Sequence, residues 1–399
     1  METRAETPLR HLPHYTTDRG AIERQGGLLH LPVAPSPRRM RVAIVHDYLN
    51  QYGGAERVLE AIHEMFPDAP IYTSIYDEST MPDFYRSWDI RTSWMQGLPG
   101  WRKFFRHYMP LYPSAFESFD LSEYDLILSS SSAFAKGIIP APHAKHICYC
   151  HTPMRFAWRT SSYVEREQMS APQRGVLSVV LTSVRVWDVM SAKRVDTFVA
   201  NSHEVAARIR RYYDRDSVVI PPPVEIAPYE EREPEDFYLA GGRLIPYKRL
   251  DLVVQAFSAL KLPLVIFGEG RDRAALEAAS GPNIRFVGHV SEEERLSLFS
   301  RCRAFIFPGE EDFGITPLEA MAAGRPVIAY AAGGALDTVI PERTGRFFHQ
   351  PTAAALAAAV AASRTDTYDA RAIRRHAEGF GREVFRRRLM ALIEEMTAT

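Results

Sequence analysis

The segment EEDFGITPLEAMAAGRPVIAY, residues 310–330, holds two carboxylates eight positions apart, Glu311 and Glu319, around a Phe-Gly turn and a proline. The run AFIFPG before it reads as a strand ending at Gly309, so Glu310 to Ile315 form a loop. Thr316 and Pro317 then serve as N-cap and first-turn proline of a helix, with Glu319 in its first turn. Amides around Phe313, Gly314 and Ile315 are left without helical partners at the positive end of that helix, an arrangement that suits phosphate. A carboxylate beside such an anion is better placed to accept hydrogen bonds from sugar hydroxyls than to touch the anion itself. The plainer reading is a pair of helix-capping acids with no ligand.

A second segment, AGGRLIPYKRLD, follows another strand. It offers Gly241 and Gly242 for close backbone approach, then Arg243 and Lys248 on one short loop. A guanidinium fork and an ammonium converging there can neutralise a diphosphate; the alternative is a solvated basic face. In YCHTPMRFAW, His151 stands at the carboxyl end of a strand, where open α/β sheets bind ligands. FGEGRDR lacks the third glycine of a dinucleotide fingerprint, which disfavours a redox cofactor. DRD at 214–216 sits in a polar turn and is a weak metal candidate.

These groups need elements to position them, and the chain supplies a regular alternation. RVAIVHDY (41–48) is a β-branched strand; LNQYGGAERVLEAIHEMF then turns through Gly53 and Gly54 into a helix with apolar spacing at Val58, Leu59, Ile62 and Phe66. Strands follow at DLILSSS, HICYCH and DTFVANS, separated by helix-sized segments, which implies a parallel sheet covered on both faces. SVVIPPPVEIAPYEEREPED (217–236) breaks the rhythm with consecutive prolines and a charged tail. Beyond it the alternation restarts. The predicted organisation is a flexible extension over 1–39, an N-terminal Rossmann-like domain over 40–216, a proline-rich linker over 217–236, a C-terminal Rossmann-like domain over 237–375 and a C-terminal helix over 376–399 that can pack back on the N-terminal domain. Met40 immediately precedes the first strand and could be an alternative start. Two open α/β domains joined in this way place a cleft between the carboxyl ends of two sheets.

Composition narrows the function classes. A chain of 399 residues is long for one hydrophobic core, and a hydrophobic fraction of 46% with 24% charged residues is that of a globular protein. The net charge of -1 gives no bulk argument for nucleic acid. Three cysteines, two of them in HICYC, suit core packing in a reducing compartment, neither a disulfide framework nor a zinc site. GVLSVVLTSVRVW (175–187) is too short to span a membrane and contains an arginine. The first residues lack the uncharged core of a signal peptide. A cytoplasmic location is expected.

Taken together, these segments resemble the family 4 retaining glycosyltransferases of the GT-B fold, in which two Rossmann-like doubly wound domains face each other across a cleft. The resemblance runs from about Arg41 to the last helix. It rests on EX7E (Glu311 and Glu319) within EDFGITPLEAMAAGRPVIA and on GGRLIPYKR, HDYLNQYGGAER and HTPMRFAW, all in the expected order. The wording of EDFGITPLEA and HTPMRFAW is most similar to the mannosyltransferase-like branch associated with bacterial surface polysaccharides. The resemblance implies that Arg243 and Lys248, with Gly242 at close approach, hold the donor diphosphate, while Glu319 accepts from the ribose hydroxyls. It implies that Glu311, with the amides of Phe313, Gly314 and Ile315, orients the donor sugar and its phosphate. The turn GHV ending at Val290 would meet the base, Gly53 and Gly54 would let backbone approach phosphate and acceptor, and His151 would contact the transferred sugar. It further implies retention of anomeric configuration by a same-face route. The substrates would be a nucleotide-sugar, GDP-mannose first, and a glycan or lipid-linked acceptor, with no metal or other cofactor.

RTSWMQGLPGWRKFFRHYMPLYP (91–113) interleaves Trp, Phe and Tyr with Arg, Lys and His, a composition suited to the anionic inner face of a plasma membrane; an amphipathic element packed on its own domain is the alternative. Two other functions remain open: a sugar-nucleotide epimerase, disfavoured by an acceptor-facing N-terminal loop and the EX7E spacing, and a non-catalytic nucleotide-sugar-binding protein, disfavoured by intact Glu311, Glu319, Arg243 and Lys248.

Overall fold

The computed structural model describes residues 40–158, 171–229 and 232–398; the predicted extension over 1–39 lies outside them. Two parallel sheets make up the molecule. The first contains β1 (Val42–His46), β2 (Ile71–Thr73), β3 (Ile90–Thr92), β4 (Leu126–Ser131), β5 (Lys145–Cys150), β6 (Thr197–Ala200) and β7 (Ser217–Val219), in the order β3-β2-β1-β4-β5-β6-β7. The second contains β8 (Tyr238–Gly241), β9 (Leu264–Phe267), β10 (Ile284–Gly288), β11 (Phe305–Phe307), β12 (Val327–Tyr330) and β13 (Gly345–Phe348), in the order β10-β9-β8-β11-β12-β13. In each sheet the winding reverses at its first strand. The switch points lie between β1 and β4 and between β8 and β11, where such sheets open a crevice beyond their strand ends.

Local sequence accounts for these elements. All five residues of β1 are buried, as expected for a β-branched central strand covered on both faces. Helix α1 (Gly54–Met65) follows it and buries Val58, Leu59 and Ile62, each contributing about 1.5–3 kcal/mol of transfer free energy. The helices that frame the cleft are α2 (Ala171–Ala192), α3 (His203–Tyr213), α4 (Leu250–Leu260), α5 (Glu292–Arg301) and α6 (Ile315–Ala322). Ser202 caps α3 by accepting from Val205 N, and Ser291 and Glu294 form a capping box on α5. None of the helices among the described residues is long and apolar enough to cross a membrane.

Two boundaries differ from the sequence reading. The predicted linker begins with a strand: Ser217–Val219 is β7, paired in parallel with β6, so the change of domain starts only at the prolines that follow. A short β-branched stretch can close a sheet edge even when prolines come next, and Val218 is exposed as an edge residue would be. The predicted C-terminal helix over 376–399 is α8 (Arg382–Thr397), whose start lies later because 376–378 close a preceding helix, α7 (Ala370–Glu378), and Gly379 and Gly381 separate the two. Phe385, Leu389 and Ile393 of α8 pack in the same core as Val42, Ile44 and Val58 of the first sheet. The aromatic and basic segment 91–113 leaves β3 as a series of short turns, with a helical turn at Trp101–Phe104 and the start of a further helix, Tyr112–Glu117.

Candidate active site

The loop after β8 runs through Gly241 and Gly242 into a short 3-10 turn, Pro246–Lys248. Lys248 reaches from it to the Glu311 carboxylate on the loop after β11, forming an ion pair. These two predicted residues are therefore brought together, each side chain retaining some exposure, 14% and 17%. The ammonium lies above Gly242, where a Cβ would stand 3.8 Å from Nζ. Arg243, on the same loop, is turned toward Tyr247, donating from Nη2 to its hydroxyl at 3.3 Å.

The helix after this loop begins earlier than the sequence suggests. Gly314 is its N-cap, with φ 81 and ψ 90, so Ile315 and Thr316 already lie inside α6 and Thr316 is not the cap. The positive φ explains the difference: glycine enters this turn without steric cost, and a Cβ there would meet the Phe307 ring at 2.7 Å. Pro317 is tolerated inside the first turn because no intrahelical acceptor awaits its nitrogen. Glu319 consequently falls beyond the first turn, which holds no acid. The carboxylate is nearly buried. Arg57 of α1 donates to its Oε1 from Nη1 at 3.2 Å, and Arg295 of α5 donates to the same oxygen. Arg295 also contacts the Tyr229 hydroxyl at 3.3 Å; burial, and then the Glu319 carboxylate, push the Tyr229 phenol well above its ordinary range. Val290 packs, partly buried, against the core of the second half.

The facing wall comes from the first sheet. Gly54 opens α1 directly opposite α6: a Cβ on it would approach Ile315 Cδ1 at 3.1 Å. Gly53 is the N-cap of α1 in an extended conformation. His151 follows the last residue of β5, held by Asn201 Nδ2 donating to its carbonyl at 3.0 Å and by its own amide donating to Ser131 O at 2.8 Å. Its Nε2 lies 2.8 Å from Ser130 Oγ, which in turn lies 3.1 Å from His46 Nδ1. Burial, with the His46 ring adding to it and Asp312 opposing it, lowers the His151 pKa to about 3, so the ring is neutral near pH 7.

The two walls are tied across the cleft by the acidic loop itself. Asp312 receives ion pairs from Arg155, after β5, and from Arg208 of α3, while its carbonyl accepts from Ser202 Oγ at 2.5 Å. His203 donates from its amide to Asp337 Oδ2 at 2.7 Å. The sequence reading missed Arg57, Arg155, Arg208, Arg295 and Asp312. Arg57 and Arg155 stood inside the motifs GGAER and HTPMRFAW, and their place beside a strand-end loop was a usable signal. Arg208 and Arg295 lie on helices whose local sequence gives none.

Residues 52–227 match the family described as Glycosyltransferase Family 4, and residues 223–379 match the family described as Glycosyl transferases group 1. An O-antigen chain mannosyltransferase C from Escherichia coli is 31% identical over 159 residues, covering 35% of this chain and 43% of that protein. A GDP-mannose-dependent alpha-mannosyltransferase from Mycolicibacterium smegmatis is 40% identical over 105 residues, 26% of this chain and 28% of that protein. The matched parts thus come to less than half the length of either relative. Among solved structures, the sucrose-phosphate synthase of Thermosynechococcus elongatus superposes with a TM-score of 0.68 at 18% identity, covering 90% of this chain and 100% of that one. Anabaena HepE, solved in complex with UDP, gives 0.64 at 17% identity over 89% and 100%. These likenesses show the GT-B fold.

Proposed function

Because the chain belongs to the family 4, group 1 glycosyltransferases, we propose that it transfers a hexosyl group from a nucleotide-sugar, GDP-mannose first among candidates, to a glycan or lipid-linked acceptor with retention of configuration. The observation that carries this reading is the Lys248–Glu311 pair at the β8/β11 switch point, on loops that lead into α6, whose Ile315 meets Gly54 of the first half. A diphosphate entering the cleft draws the Lys248 ammonium from Glu311 and adds Arg243, and the released carboxylate accepts from hydroxyls of the sugar. The amides of Phe313, Gly314 and Ile315 meet the phosphate at the start of α6. Ribose hydroxyls bond Glu319, which the two arginines hold through Oε1 only. His151 meets the transferred sugar, and Val290 borders the base. The departing diphosphate oxygen takes the acceptor's proton on the same face, so the protein positions the reactants and stabilises the leaving group rather than supplying a strong base. In this reading the basic pair neutralises the diphosphate without a metal, and turnover is insensitive to EDTA.

Mannose is favoured by both the E. coli and the mycobacterial relative and GDP by the mycobacterial one, while UDP-sugars follow through the HepE complex. The deciding experiment is a thermal-shift panel of GDP, UDP, ADP and their sugars, because the true donor raises apparent stability by mass action. Stabilisation by GDP-mannose above all others supports the reading; a UDP-sugar response replaces the donor, and silence across the panel removes the function. Trp94 and Phe104 are exposed, 45% and 42%, beside Arg102, whose guanidinium lies 4.7 Å from the Trp101 ring centre. This patch favours peripheral contact with anionic lipid at the inner membrane face, and failure to sediment with anionic liposomes at low salt would remove it.

A further inference from the structure

Behind His151, polar groups run inward through the first sheet. His46, the last residue of β1, is register-paired with Ser130 of β4, and both are buried. His46 Nδ1 lies 3.1 Å from Ser130 Oγ, which lies 2.8 Å from His151 Nε2. At the far end, His46 Nε2 stands 3.5 Å from Oε1 of Glu56, a buried carboxylate in the first turn of α1. Neither Glu56 nor the Ser130–His46 pair has a place in the donor or acceptor contacts proposed above, yet burying them without purpose would be costly.

The order of donors along this path is constrained. A serine hydroxyl has one proton to give, so Ser130 can donate to one histidine while accepting from the other. The positive end of α1 favours negative charge on Glu56. A carboxylate at 3.5 Å repels a lone pair and attracts an N–H, which keeps the His46 proton on Nε2 and leaves Nδ1 as acceptor. Ser130 must then donate to His46, and it can only accept from His151. The His151 proton is thereby placed on Nε2. Remove the charge at Glu56 and the whole sequence can run backwards, with His46 donating to Ser130, Ser130 to His151, and the His151 proton on Nδ1.

We infer that Glu56 sets which nitrogen of His151 carries its proton, acting through His46 and Ser130, so that Nδ1 of His151 accepts a hydrogen bond from a hydroxyl of the bound sugar. Glu56, His46 and Ser130 are positioning residues; His151 alone touches the substrate. The sugar-facing half of this inference rests on the proposed glycosyl transfer, whereas the tautomer does not.

Two-bond proton–nitrogen NMR spectra of the full chain, labelled with 15N in histidine and with His151 assigned by the His151→Gln variant, report the tautomer directly. Wild type should show the proton on Nε2, and Glu56→Gln should move it at least partly to Nδ1. His146 serves as the folding control, since its Nε2 meets Ser129 Oγ at 2.8 Å elsewhere in the same sheet. Ser130→Ala should cut the path, so that adding Glu56→Gln changes the His151 pattern no further. A proton on Nδ1 in wild type, one tautomer in both proteins, or a further change in the Ser130→Ala background would overturn the inference. With GDP-mannose as probe, Glu56→Gln should lower the kcat of hydrolysis about tenfold with less than about twofold change in Kd for GDP. An altered tautomer with unaltered kcat would overturn the sugar contact. If wild type neither binds nor turns over GDP-mannose, the donor reading fails, and the spectra still decide the tautomer.

Discussion

Two lysine–carboxylate pairs, one in each half, both place the lysine on a 3-10 turn just beyond a strand, yet they are different devices. Lys136, after β4, pairs with Asp188 of α2, and the side chains are 1% and 0% exposed. Trp158 Nε1 donates to Asp188 at 2.7 Å, the Tyr213 hydroxyl donates at 3.0 Å, and the Trp187 and Tyr213 rings flank the ammonium at 5.3 and 5.4 Å. Lys248 and Glu311, after β8 and β11, face the cleft and keep part of their surface. The first pair is walled in on every side and cannot exchange partners. The second can open for an incoming anion with water ready to re-solvate whatever is released. Lysine and acid in proximity therefore mean architecture in one half and, in the proposed function, ligand exchange in the other, and burial decides which.

Breaking each pair from the lysine side should separate the two meanings. Lys136→Ala leaves Asp188 charged and sealed in, so urea unfolding should show a loss of about 3 to 5 kcal/mol, whereas Lys136→Met with Asp188→Leu should recover only part of it, because Trp158 Nε1 and the Tyr213 hydroxyl then lose their acceptor. Lys248→Ala should lower kcat with the true donor about a hundredfold, equivalent to about 2.7 kcal/mol of transition-state stabilisation, while changing stability by less than about 1 kcal/mol. Equal stability losses in the two variants would end the distinction. Gly334→Ala tests the scaffold beneath the exchangeable pair: Gly334 donates to Glu311 O at 2.9 Å, and a Cβ on it would stand 2.2 Å from the Phe313 backbone. It should cost about 1 to 3 kcal/mol in thermal unfolding and impair donor binding as the loop shifts. Arg57→Ala removes a partly exposed tie to Glu319 and should cost at most about 1 kcal/mol, read by chemical unfolding without nucleotide.

Acid titration sharpens the same contrast. Burial lowers His146 to about 4 and His151 to about 3, below the ordinary histidine value of about 6.5. The unfolded chain therefore takes up protons that the folded chain refuses. Stability from these two histidines is complete above pH 6.5 or so and should decline as pH falls toward about 4 for the first and about 3 for the second. His151→Gln should make the stability-against-pH slope shallower between those limits; an unchanged slope would show that His151 does not stay neutral in the fold.

Much of the second wall was legible because its chemistry is local. A strand ends, a loop follows, and Lys248 or Glu311 sits within a few residues of the glycines that shape it. Less of the first wall was legible, beyond Gly53, Gly54 and His151, for the opposite reason. His46 meets Ser130 across 84 positions of sequence through strand register, and Arg57 meets Glu319 across 262. Neither distance leaves a trace in periodicity. The misplaced start of α6 has a different origin: Thr-Pro is a good capping signal, but Gly314 reaches a backbone region that threonine would resist, and the earlier turn wins. At β7, proline signals were read as reaching further back than they do, because three edge residues need little propensity once β6 offers them a partner.

The main chain passes between the halves twice, once after β7 and again between α7 and α8, and the two passages are stitched together. Val224 donates to Phe380 O at 2.9 Å and pairs with Gly381 in an isolated parallel bridge. One backbone hydrogen bond and one bridge thus fasten the two passages side by side. Any turn of one half against the other must carry both passages together, so the approach of Gly54 and His151 to Lys248 depends on a crossing that neither passage makes alone.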